Sequence, residues 1–207
     1  RYAITKAVKK TKSIVQNVKG VEDTDNFNAY PTQLLPIIKK DQDSLSLSNY
    51  HWGLIPKWSE KMQDFKPLNN ARLETLMKKK TFSGLIGKQR CVVPADGYYE
   101  WRKNDEGKKF PQFIKREHNE TLFFTGLYQK NNNIEFSIIT TEAKGQLAYI
   151  HHRMPVILKE EEINNYLNAQ DPIVFLNSHQ NPDLVFYEVS RDVNNPSNNH
   201  PGLLDPA

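Results

Sequence analysis

Residues 91–140 read CVVPADGYYEWRKNDEGKKFPQFIKREHNETLFFTGLYQKNNNIEFSIIT, and this stretch decides the fold. Within it CVVPA, YYEWRK, KFPQFIKR, TLFFTGLY and IEFSIIT are short runs rich in β-branched and aromatic residues. Such side chains suit a pleated, half-buried surface. DEG (105–107), HNE (118–120) and NNN (131–133) fall between several of the runs and supply turn chemistry. Short strands at this spacing predict an antiparallel meander that closes into a barrel or a curved sheet.

Outward from this stretch, SLSLSNY (44–50) alternates apolar and polar residues, the period of a half-buried strand. LVFYEVS (184–190) adds a further strand. Three helices are expected. SIVQNVKGV (13–21) puts Ile14, Val15 and Val18 on one side, with Gly20 as its end. LETLMKKKTFSGLI (73–86) stops at Gly87, and KEEEINNYLNAQ (159–170) has acidic residues in its first turn, where the helix dipole favours them. The tail NNPSNNHPGLLDPA (194–207) reads as an extended segment lying on the surface. Without an internal repeat or low-complexity linker, residues 1–207 form one domain of α+β class with a dominant, barrel-like β core.

Composition narrows the function classes. A hydrophobic share of 38% and an aromatic share of 11% can build a core, which excludes wholesale disorder. No apolar run approaches the roughly 18 to 20 residues that span a bilayer, and RYAITKAVKKTK never becomes a signal-peptide core. The single cysteine, Cys91, excludes an internal disulfide framework and a cysteine-based zinc cluster, so a reducing, cytoplasmic compartment is expected. Net charge is +4, which alone argues little for a nucleic-acid partner. The short lysine clusters, such as Lys78–Lys80, read as solvated faces.

Three polar clusters interrupt the strand pattern. In NNARLET (69–75) an extended backbone points Asn70 and Arg72 the same way, offering a neutral amide and a cationic fork suited to phosphate. The plainer reading is an Asn turn with a surface pair between Arg72 and Glu74. In PADGYYEWRK (94–103) Glu100 stands between Tyr99 and Trp101, surroundings that raise a carboxyl pKa and fit it for acid–base work. An outward-facing Glu on an amphipathic strand is the alternative. In IHHRMPVIL (150–158) two histidines and an arginine precede an apolar strand. Adjacent strand positions point to opposite faces and no third ligand has suitable spacing, so no metal is expected there. Trp52, Trp58, Tyr98, Tyr99 and Trp101 flank these clusters, either as core or as stacking surfaces for bases.

The chain resembles the SRAP family, the SOS response-associated peptidases also called abasic-site processing proteins. The resemblance rests on FNAYPT (27–32), WGLIPKW (52–58), NNARLET (69–75), RCVVPADGYYEW (90–101), IITTEA (138–143), IHHRMPVIL (150–158) and VSRDVNN (189–195), in the family's order across the chain. It implies a β-barrel-like core with peripheral helices and a basic groove for single-stranded DNA containing abasic sites. It also implies chemistry: a cysteine exposed as the N-terminus after Met removal condenses with the open-chain aldehyde of an abasic deoxyribose to a thiazolidine crosslink. Carried over by motif, Asn70 positions the N-terminal residue and the sugar, Glu100 moves protons, and His151 assists transfer or stabilises the intermediate. Arg72 and Arg153 grip flanking phosphates, Trp58 or Trp101 packs against a base or the sugar, and Asn28 and Thr140 line the groove. Arg1 matches the arginine of the family's opening Met-Cys-Gly-Arg, also on the DNA side, so the nucleophile is expected just ahead of the given residues. Cys91, in an apolar strand, does not replace it. No cofactor, metal or membrane is expected, and a monomer is. The competing readings are a cysteine-type peptidase that removes its own initiator Met and a noncatalytic nucleic-acid-binding module.

Overall fold

The computed structural model describes residues 1–59, 62, 64–130 and 134–207. In chain order its regular elements are β1 (Tyr2–Ile4), α1 (Lys6–Ile14), β2 (Asn17–Lys19), β3 (Asn26–Ala29), β4 (Leu34–Asp41), β5 (Ser44–Trp52), β6 (Asn70–Arg72), α2 (Lys80–Ile86), β7 (Arg90–Ala95), β8 (Gly97–Lys103), β9 (Lys109–Lys115), β10 (Leu122–Lys130), β11 (Ile134–Glu142), β12 (Arg153–Pro155), β13 (Ile157–Leu158), α3 (Ile163–Asn168), α4 (Pro172–Ser178) and β14 (Val185–Glu188). The class is α+β with mostly antiparallel strands, as the strand-like runs predict. No helix among the described residues is long and apolar enough to cross a membrane.

Strands β11, β10, β7, β4 and β5 follow one another by antiparallel pairing, and a parallel pair between β5 and β11 returns the order to its start, a ring of strands. Every residue of β7 is buried. Its run CVV is continuous rather than alternating because both faces are covered, the side chains meeting α1 and α3 as well as the core. Arg90 is nearly buried at the head of this strand. Its guanidinium donates to the carbonyls of Ile86 and Gly87 at the end of α2 and of Tyr166, Leu167 and Ala169 at the end of α3. One side chain thus satisfies the orphan carbonyls of two helix ends.

The expected single meander is divided between two sheets. β7, β10 and β11 belong to the ring, whereas β8 and β9 join β14, β1 and β3 in a five-stranded sheet. The break falls at Asp96–Gly97. The Asp96 carboxylate accepts the N–H groups of Thr5 and Ala7 and so caps α1 from a distance. A side chain at Gly97 would lie 2.8 Å from the Ile114 carbonyl, so β8 closes on β9 only with glycine there. β1 then adds to the other edge of β8, pairing Tyr2 with Tyr98. The NNN turn (131–133) lies outside the described residues.

Several elements differ from the reading of the sequence. The first helix begins at Lys6, because Ala7, Val8 and Thr11 form its buried stripe, and residues 17–19 are instead a strand pairing in parallel with β5. Gly20, with φ of 64°, ends that strand rather than a helix. Of 73–86, only 80–86 is α-helix, after a short 3₁₀ turn at 73–75. α4 was not expected, although its start has a sequence signature: Asp171 caps the N–H groups of Ile173 and Val174, and Pro172 takes the first position. Nor does the tail simply lie on the surface. Leu203 is fully buried with Ala3, Tyr99, Phe113, Val189 and Val193 in a second apolar cluster, and Ala207 N–H donates to the Glu188 carbonyl.

Candidate active site

β6 is only three residues long, but it pairs in parallel register with β11, placing Asn70 beside Ile138 and Arg72 beside Thr140. Pairing of β12 on the other edge of β11 puts Pro155 opposite Thr140 and Arg153 opposite Glu142. By strand alternation Asn70, Arg72, Ile138, Thr140, Arg153 and Pro155 share one face. Ala71, between the two polar residues, is buried and anchors the strand. This face walls a cavity of about 530 Å³ whose other sides are Arg1 and Tyr2 of β1, Tyr98 to Glu100 of β8, Trp52, Phe124, Pro31 and Pro67–Asn69. Its floor is aromatic: Tyr2 packs on Trp52 at 5.2 Å and edge-on to Phe124 at 5.9 Å.

Glu100 of β8 and His151, in the turn before β12, meet across the cavity. His151 Nδ1 lies 3.7 Å from Glu100 Oε2, with side chains 36% and 27% exposed. Burial pushes the Glu100 carboxyl above its ordinary value, against the opposing pull of His151 and the N–H of Trp101. That is the property the aromatic frame of Glu100 suggests. His151 Nδ1 lies 3.2 Å from the main-chain N–H of Arg153 and 3.1 Å from its carbonyl, contacts that orient the ring. His151 and His152 do not point to opposite faces. They lie in the turn before β12 rather than in a strand, and their rings pack side by side with centroids 4.4 Å apart. The His152 pKa is lowered, chiefly by the charge of His151. Among the described residues no three His, Cys, Asp or Glu side chains group as metal ligands.

The remaining residues picked from the sequence divide. Asn70, Arg72, Glu100, Thr140, His151, Arg153 and Arg1 all line the cavity. Asn70 and Arg72 are exposed to it. The guanidinium of Arg153 is instead occupied: it holds Glu74 through two bonds, 3.0 and 2.9 Å, and donates to the carbonyl and hydroxyl of Thr140 at 2.7 and 3.2 Å. The surface pair weighed for Arg72 and Glu74 is therefore replaced by one between Arg153 and Glu74. Arg1 reaches away to the carbonyls of Val193 and Asn194 and lies over the Trp101 ring at 5.7 Å. Asn28 does not line the cavity. It is buried, its amide shared by the carbonyls of Val193, Asn195 and Asn198, and so ties β3 to the C-terminal segment. Trp101 donates to Asn194, and Trp58 stands 61% exposed with its ring edge-on to Phe65; neither lines the cavity. Tyr2 and His152 also line the cavity, and Glu74 braces Arg153 in its wall, roles that the sequence reading does not give them. For Glu74 the signal was present, an acid in the same motif as Asn70 and Arg72, but its partner is 79 residues away.

A closed strand ring with this cavity at its seam, and these motifs around it, define a family. The sequence profile of SOS response associated peptidase (SRAP) matches residues 1–196, and the chain belongs to that family. It is 36% identical over 191 residues to the abasic site processing protein YoqW of Bacillus subtilis, covering 87% of this chain and 85% of that protein. It is 29% identical to the abasic site processing protein HMCES of Rattus norvegicus, over 88% of this chain and 65% of that protein. Among solved structures, a protein from Bacteroides thetaiotaomicron matches with a TM-score of 0.72 and 28% identity, covering 99% of this chain and 91% of that one.

Proposed function

We propose that this chain processes abasic sites in DNA, holding the damaged single strand across the cavity and capturing the open-chain aldehyde on a cysteine placed two residues ahead of Arg1. The observation that carries this reading is where the chain enters the site. The Arg1 carbonyl accepts the Tyr99 N–H at 2.9 Å, which fixes the start of β1 beside β8. The backbone nitrogen of Arg1 is buried close to Glu100. In this reading the cysteine ahead of Arg1 lies beside Glu100, His151 and Asn70 of the cavity, and an α-amine, with an ordinary pKa of about 8, is in part neutral and nucleophilic near pH 7.

The chemistry balances with the groups available. The amine adds to the aldehyde carbon, and the carbinolamine loses water as Glu100, whose burial favours its protonated form, gives a proton to the leaving hydroxyl and takes one back from the iminium nitrogen. The thiol then adds to the imine carbon, its proton passing to the nitrogen, and a thiazolidine closes with one water released overall. Asn70 orients the sugar, His151 carries protons, and Arg72 meets a flanking phosphate. An absent base lowers the cost of displacing the nucleotide from its stack.

The test is incubation of the protein, with Cys-Gly ahead of Arg1, with an oligonucleotide carrying one abasic site. A heat-stable, slow-migrating band is expected, absent when that cysteine is serine. A peptidase acting on other proteins, or a simple binding module, gives no such band.

A further inference from the structure

Arg1 stands one residue ahead of β1, and its guanidinium is seated by a turn from the far end of the chain. It donates to the Val193 carbonyl, to the Asn194 carbonyl at 3.1 Å and to Asn28 Oδ1 at 3.4 Å, and it lies over the Trp101 ring at 5.7 Å. The seat is braced from behind. The buried Asn28 amide donates to the carbonyls of Val193, Asn195 and Asn198 at 3.2, 3.0 and 3.1 Å. Trp101 Nε1 donates to Asn194 Oδ1 at 2.7 Å, and the Asn198 amide donates to the Asp192 carbonyl at 2.9 Å. Val193 itself is fully buried in the second apolar cluster.

The strand ladder does not reach as far as this seat does. Its bond at Arg1 runs from the Tyr99 N–H to the Arg1 carbonyl, at 2.9 Å. That bond holds the carbonyl and leaves rotation about the bond between Cα and the carbonyl carbon. The backbone nitrogen and the side chain leave the same tetrahedral Cα. Restraining the side chain in its seat therefore also restrains the direction in which residues ahead of Arg1 point. Three consecutive residues of β8 tie this to the site: Tyr99 holds the carbonyl, Trp101 holds the side chain, and Glu100 between them lines the cavity.

We propose that Arg1 is a positioning residue: seated against Val193, Asn194, Asn28 and Trp101, it aims the chain start so that the cysteine two residues ahead meets the aldehyde beside Glu100. Asn28 and Trp101, outside the cavity, thereby serve the reaction through Arg1. The gain is in rate. A nucleophile on a loosely held chain end points many ways, and only a small share of them brings it to the carbonyl carbon. This inference rests on the abasic-site reading above.

The experiment is single-turnover crosslinking of an abasic oligonucleotide by the protein with its Cys-Gly start, the limiting rate being separated from the half-saturating DNA concentration. Affinity for the same strand carrying an unreactive tetrahydrofuran site is measured beside it, with a thermal melt of each variant. Arg1→Met keeps the stem and loses the fork. Its limiting rate should fall about 10- to 100-fold, while half-saturation and affinity stay within about threefold. Arg1→Lys keeps the charge and one donor group, and should recover part of that rate. Trp101→Phe keeps a ring but loses the bond to Asn194, and should slow the limiting rate about twofold to fivefold. Added to Arg1→Met it should slow the reaction no further, because the seat then holds nothing. A native limiting rate in Arg1→Met overturns the proposal, whether or not the melting temperature falls, and leaves the seat a brace for the fold alone. So does a loss confined to half-saturation and affinity. Should Arg1→Met fail to fold, native limiting rates in both Arg1→Lys and Trp101→Phe overturn it. If the native protein forms no crosslink at all, the abasic-site reading itself fails, a different result from any of these.

Discussion

Strands β6, β11 and β12 have a cavity on each face, about 530 Å³ on one side and about 540 Å³ on the other. Asn70, Arg72, Thr140 and Arg153 line the first and Leu73, Thr141 and Val156 the second, with Met154 lining both. The volumes are equal, and the chemistry is not. Behind the wall, buried polar groups are spent on the fold. Asn181 accepts the Ile157 N–H at 2.9 Å and donates to the Pro155 carbonyl at 2.8 Å, filling the gap between β12 and β13 as a strand would. His179 contacts the Ile157 carbonyl and Glu162 and stacks on Phe175. In front, Glu100 keeps an ionisable oxygen facing His151 at a distance longer than a hydrogen bond. What distinguishes a site from a fissure in this fold is polar chemistry left uncommitted, not space.

Substitutions in front of the wall and behind it should differ in what they change. The largest effect is expected in front: Glu100→Gln should slow capture of an abasic oligonucleotide by about 10²- to 10⁴-fold, read in single turnover, while leaving DNA affinity intact. Behind the wall, Asn181→Ala should lower stability by about 1–3 kcal/mol in denaturant titration, because it strands the Ile157 N–H and the Pro155 carbonyl, with no change in capture rate for the folded protein. A smaller effect on stability should attend Glu100→Gln. The Glu100 pKa is raised above its ordinary 4.5, so its contribution to stability is full below that pH and is lost as pH rises through the folded value. Glu100→Gln lacks this loss. It should match the native protein well below pH 4.5 and be the more stable of the two at pH 8, a difference readable in thermal melts. Gln180→Ala, exposed at the mouth of the rear cavity, should change stability by less than about 0.5 kcal/mol and capture by less than about twofold.

The same contrast explains how much could be read in the sequence. SLSLSNY and the runs from 91 to 140 became strands, since period and residue type act locally. Asn70 and Arg72 came to one face because alternation is a local rule as well. Sheet membership did not follow, because the division of β7 from β8 depends on Asp96 reaching Thr5 and Ala7, 91 and 89 residues away. LLPIIKKD was not singled out, although it forms β4; its apolar residues are consecutive, as both faces are covered. Residue type also misleads where a long-range partner decides the role. Asn28 and Arg153 have the functional groups of ligand-binding residues, yet both are engaged by distant backbone or carboxylate. Leu203 lies in a segment of turn-forming residues and is nevertheless core, because the second apolar cluster needs it.

In the proposed function the front cavity presents an N-terminal cysteine, beside Glu100, to an abasic aldehyde. Intact-mass measurement of the protein bearing Cys-Gly ahead of Arg1, after incubation with an abasic oligonucleotide, tests it most directly. The account predicts a species equal to protein plus DNA less one water, stable without a reducing agent and missing from both the serine variant and DNA lacking the lesion. A native protein that binds the damaged strand yet retains its unaltered mass would contradict it.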